Sequence, residues 1–225
     1  MTTPGTLHRQ RAVRRGQRLE YFTIGYNALE GLVSLIAGWV AGSVSLVGFG
    51  LDSLVEVTSG AAVLWRLHHD WHASRRERFE RTSLRIVGGC FLALALYILC
   101  ESGDALIRRE APQRSIPGIL VAATSVVVMP LLARAKRRVA AGIGSQAMRA
   151  DSRQTDFCAW LSAILLGGLL LNALLGWWWA DPAAGLVMVP IIAREGVAGL
   201  RGKGGSETCG CHASEASARN PLIRS

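Results

Sequence analysis

Apolar positions along the chain do not alternate with polar ones; they gather into six blocks, at about 22–41, 44–64, 84–106, 116–134, 155–179 and 183–200. Each block is roughly 18 to 24 residues long, the length at which an α-helix crosses a hydrocarbon core of about 30 Å. The pattern predicts an all-α, polytopic membrane protein: a six-transmembrane-helix bundle over 21–202, preceded by a basic segment at 1–20 and followed by a short flexible tail at 203–225. Six spans use most of the 225 residues, so no second folded domain is expected.

Charge then orients the bundle. The chain carries 25 Lys+Arg against 16 Asp+Glu. Of these basic residues, only Arg108, Arg109 and Arg114 fall between the third and fourth blocks, while the others lie before Tyr21, between Arg66 and Arg85, between Arg134 and Arg153, and from Arg194 onward. With six spans these rich segments face one compartment, which the positive-inside rule makes the cytoplasm. Both termini are then cytoplasmic, the location is the cell inner (plasma) membrane, and the partner of the surplus charge is the lipid bilayer, not nucleic acid. Asn27 and Glu30 interrupt the first block, which reads as a retained helix and not a cleaved leader. None of the five cysteines falls in an external loop, so structural disulfides are not expected.

Ionisable groups inside a bilayer cost roughly 2.5–3.5 kcal/mol each on insertion scales, so each asks for a partner. Asp52 and Glu56 lie in the middle of the second block. Four residues apart on a helix, they share one face. Two such carboxylates cannot both stay ionised in low dielectric unless a cation joins them or a proton neutralises one. Gln154 and Cys158 repeat the four-residue spacing in the fifth block, and a metal-deprotonated thiol is a soft ligand suited to zinc, cadmium or related ions. Asp151 and Asp156 fall near the start of that block, where a solvated carboxylate at a helix N-terminus needs no function.

The run from Gly42 to Glu56, GSVSLVGFGLDSLVE, resembles the second-helix signature of the cation diffusion facilitator family, the proton-coupled exporters of zinc and related divalent metals. Glu56 stands where the family's D-x-x-x-D motif has its second Asp. Ala150-Asp151 and the run Ala180-Asp181-Pro182-Ala183-Ala184-Gly185-Leu186 are similar to the family's entries into helices 5 and 6. The likeness covers about 20–202. The family's fifth helix usually supplies H-x-x-x-D; aligning on Ala150-Asp151 puts Gln154 and Cys158 at those places, and aligning on an acidic residue puts Ser152 and Asp156 there. The first alignment places the donors deeper. The family's cytoplasmic metal-sensing domain has no counterpart in the roughly 25 residues after the sixth block.

The resemblance implies a metal site of Asp52, Glu56, Gln154 and Cys158, with the divalent ion as transported substrate, no permanently bound cofactor, protons as the exchanged ion, and a homodimer with the third helix as its contact. Asn27 with Glu30 in the first helix and Glu101 with Asp104 in the third are candidates to line an aqueous path, and Glu30, Glu101, Asp151 and Asp156 are accessory candidates. His68, His69 and His72, and Cys209, Cys211 and His212 in the tail, have the residue types to gather ions for the buried site. Gly38 and Gly42 are spaced for close helix contact, and Trp177–Trp179 mark the external interface. No Ser/His/Asp set accompanies the carboxylates, so an enzyme is not expected. The alternative to a transporter is a non-transporting membrane metal sensor or partner subunit.

Overall fold

An unbroken apolar run in lipid must satisfy its own backbone amides, which a helix does within the segment and an open strand cannot. The computed structural model describes residues 4–68, 73–109 and 112–201. Among them the chain forms six helices and no strand: α1 (Pro4–Ala41), α2 (Val44–His68), α3 (Ala73–Arg108), α4 (Ile116–Ile143), α5 (Gln146–Leu175) and α6 (Ala180–Leu200). Each holds a stretch long and apolar enough to cross a membrane, so the protein is a multi-pass membrane protein.

Several helices extend past their apolar blocks. α1 starts at Pro4, not 22; α3 at Ala73, not 84; α5 at Gln146, not 155. The added turns are rich in Arg, Glu, Gln and Ala, good helix formers that hydropathy does not register. α4 and α5 begin where a serine caps them: the Ser115 hydroxyl accepts from the Gly118 amide, and the Ser145 hydroxyl from the Met148 amide. Gly144, in the left-handed region at φ 67°, closes α4 just before this second cap. The early start of α5 carries Asp151 and Thr155 inside the bundle.

Helices α1, α2, α4 and α5 form a ring in which α1 packs on α2 and α4, and α5 packs on α2 and α4. α3 and α6 pair with each other and lean on that ring through α2 and α5. Small residues set the spacing. A β-carbon on Gly50 would lie 2.9 Å from Leu35 Cγ and 3.1 Å from the Gly31 carbonyl, so α1 and α2 approach nearly backbone to backbone. Gly38 serves the same contact against Val47, but Gly42 does not: at φ 64° it makes the α1–α2 turn. Leu29, Ile36, Trp39, Ile86, Leu96, Leu120, Val127, Trp160 and Leu174 are exposed, forming the apolar outer surface that lipid covers. Trp177 and Trp179 stack in the α5–α6 connection, their centroids 5.1 Å apart.

The α3–α6 pair rests on Gly88, where a β-carbon would meet the Gly196 carbonyl and the Leu200 amide at 2.7 Å each. Gly88→Val should force the helices apart and destabilise the folded protein by about 1–3 kcal/mol. Gly89→Ala, which meets nothing within 4 Å, should leave thermal stability in detergent unchanged.

Candidate metal centre

The α2 carboxylates point into the ring. Asp52 is 5% exposed, Glu56 1% and Cys158 of α5 1%. The Cys158 thiol lies against both carboxylates. Glu56 is held by α5 at one oxygen, Oε1, to which the Thr155 hydroxyl donates at 2.7 Å; that hydroxyl also reaches the Asp151 carbonyl at 3.2 Å. The other oxygen, Glu56 Oε2, is buried without a hydrogen-bond partner, and so is Gln154 Nε2. A buried orphan acceptor is costly, of order 1–3 kcal/mol, and marks a place where a further group belongs. Among the described residues no three His, Cys, Asp or Glu side chains are drawn together tightly enough to make a ready metal cage. The donors are neighbours, and a cation would have to pull them inward.

Toward α1 the polar surface continues. Glu30 is buried and accepts at Oε2 from the Ser53 hydroxyl, 3.0 Å away, leaving Oε1 unpartnered. Tyr26 and Ser125 flank it. Both side-chain atoms of the fully buried Asn27, together with Ser34 Oγ and Ser125 Oγ, also lack partners. These orphans gather on the inner faces of α1, α2 and α4, and Glu30 lies among them.

At the basic end of the ring stands a group that charge counting does not anticipate. Lys136 of α4, fully buried, pairs with Asp151 of α5 and lies 3.2 Å from Glu20 Oε2 of α1. Ser59 of α2 donates to Asp151 at 3.3 Å. Asp151 is therefore no solvated cap; its buried pairing corrects that expectation, and the cause is the early start of α5. Lys136 hides in the run Arg134–Arg138, which reads as positive-inside charge. One signal was available: almost all of the chain's 25 basic residues are Arg, and Lys136 is one of only two lysines.

Asp156 faces outward and pairs with Arg137, while Ser152 donates to the Arg149 carbonyl. It is thus Cys158, not Asp156, that stands beside Asp52 and Glu56. Glu101 is exposed on α3, outside the buried column, which corrects its expected place along a path. Its neighbour Asp104 pairs with Arg108 at 2.7 Å. At the end opposite Lys136, the buried Asp181 of α6 accepts from the hydroxyls of Ser43, at 2.7 Å, and Ser45, tying the start of α2 to that of α6. His68 closes α2; its side chain, His69, His72, Cys209, Cys211 and His212 lie outside the described residues.

The chain is similar to two proteins named as uncharacterized transporters. One, from Methanocaldococcus jannaschii, is 29% identical over 179 residues, 75% of this chain and 61% of that protein. The other, from Synechocystis, is 26% identical over 156 residues, 65% of this chain and 49% of that protein. The chain thus spans between about half and three fifths of the length of these relatives. A family model described as the cation efflux transmembrane domain matches residues 22–201, the whole six-span body that carries the buried carboxylates, and the chain belongs to the cation efflux family.

Proposed function

We propose that this protein exports zinc-like divalent cations from the cytoplasm across the inner (plasma) membrane in exchange for protons, with Asp52, Glu56 and Cys158 as anionic ligands and Gln154 as a neutral oxygen donor. The observation that carries this reading is the buried meeting of two α2 carboxylates with an α5 thiol, beside an orphan oxygen of Glu56. Three anionic donors over-neutralise a divalent ion by one charge, and each must lose its proton to bind. Protons arriving from the opposite side therefore compete the ion off, and metal affinity falls as pH falls. A thiolate among oxygen donors favours zinc and cadmium over manganese. The short histidine and cysteine clusters would raise the local ion concentration at the basic end.

Two chains acting together belong to the same reading, meeting along the outer face of α3, where Ile86, Leu96 and Leu99 are exposed beside Cys90 and Cys100. A non-transporting sensor or partner subunit is favoured by one observation, the lack of a ready three-donor cage among the described residues. Flux by the purified protein alone in liposomes separates the two.

In inverted vesicles, Asp52→Asn should reduce zinc uptake to the background of empty membranes; undiminished uptake would sink the proposal. Cys158→Ser should keep manganese binding and lower cadmium affinity about tenfold or more, equivalent to about 1.4 kcal/mol, measured by calorimetry. Oxidative cross-linking of a Cys209→Ser/Cys211→Ser variant should trap a dimer through Cys90 or Cys100, and a Cys90→Ser/Cys100→Ser version should not form one.

A further inference from the structure

Glu20, Lys136 and Asp151 place two carboxylates and one ammonium in a pocket with essentially no solvent exposure. If both acids are ionised, the group carries one surplus negative charge. The two acids are not held alike. Asp151 is paired with Lys136 and accepts from Ser59. Glu20 meets the Lys136 ammonium at 3.2 Å through Oε2 alone, and its Oε1 has no hydrogen-bond partner. Opposite Glu20 is Gly60, where a β-carbon would stand 3.2 Å from Ile24 and 3.4 Å from Glu20 Oε2, so the missing side chain lets α2 pack closely against Glu20. Two buried carboxylates that share one ammonium call for a further positive charge, a second cation or a proton.

Position gives this charged group a use. Asp151 connects to the candidate metal centre through Thr155, which touches both the Asp151 carbonyl and Glu56. On the other side, Val63, Val139, Ala140 and Met148 form a separate apolar cluster, with Leu19 and Ile143 packed on it. These residues lie about one helical turn nearer the basic end than Ser59, Lys136 and Asp151. Going inward from that end, the order is an apolar plug, then the Glu20–Lys136–Asp151 group, then Glu56 and Asp52.

We propose that Glu20 and Asp151 form a relay site for an incoming divalent cation, and that the Lys136 ammonium is its resident stand-in. The inference rests on the divalent-cation reading above. When the plug parts, a divalent ion takes the place between the two carboxylates, cancelling both charges where the ammonium cancelled one. Lys136, a compact charge on a flexible four-carbon stem about two turns before the end of α4, swings toward that end past the parted plug. The ion then steps to Glu56 and Asp52, and the returning ammonium prevents backflow. Lysine suits this role better than arginine, whose planar fork would hold both carboxylates too well.

Glu20→Gln removes the surplus charge and keeps a neutral Lys136–Asp151 pair, so the variant should fold. It should transport zinc at least tenfold more slowly in liposomes, keep its equilibrium affinity at Asp52 and Glu56, and recover in part as Glu20→Asp. Lys136→Gln evicts the stand-in, and counting bound Mn²⁺ by electron paramagnetic resonance should find one more ion per chain than in the unaltered protein. That extra ion should vanish in Lys136→Gln/Glu20→Gln. A Glu20→Gln protein transporting at the unaltered rate, or a folded Lys136→Gln protein binding no extra Mn²⁺, would overturn the relay. Absence of zinc flux in the unaltered protein would instead overturn the transport reading, and the Mn²⁺ count would still judge the site.

Discussion

The cost of holding a carboxylate in hydrocarbon governs this molecule. Hydrocarbon supplies no hydrogen bonds, so each acid within the spans needs a cation, a proton or donated hydrogen bonds. The chain answers differently at each level. Asp181 is satisfied by two serine hydroxyls at one end of α2. Asp151 has Lys136 and Ser59 at the other. Between them, Asp52 meets a thiol, while Glu56 and Glu30 each keep an oxygen with no partner. Asp181, held by two serine hydroxyls, ties α2 to α6, whereas Glu30 and Glu56 each leave a buried oxygen open to a further partner.

That division depends on the glycines. Close approach of α1 to α2 through Gly31, Gly38 and Gly50 brings Glu30 against Ser53, and α3 against α6 through Gly88 and Gly196 keeps the flanking pair compact. Larger residues would widen the ring and separate groups that now touch. Close packing thus converts a list of polar residues on separate helices into one continuous column.

The spans were legible in the sequence because hydrophobic block length is a direct physical measure of bilayer thickness. Asp52, Glu56 and Cys158 were legible for a related reason: polar residues in an apolar block are conspicuous, and a spacing of four fixes their common face. Asp151, Glu20 and Lys136 were not, because they lie just beyond the apolar blocks in helical turns that hydropathy assigns to loops. Charge that looks like surface charge in one dimension becomes interior charge once α5 starts at Gln146. Glu101 lies outside the buried column, because a few polar residues in an apolar block do not say which face of the helix turns inward.

The central claim is that one ion sits between α2 and α5 with Cys158 as its sulfur ligand. X-ray absorption at the cadmium edge, on the loaded Cys209→Ser/Cys211→Ser protein, tests it most directly. One sulfur in an otherwise oxygen shell, lost when Cys158→Ser is added, is the result expected. A shell of oxygen and nitrogen alone, or a sulfur that survives Cys158→Ser, would contradict it.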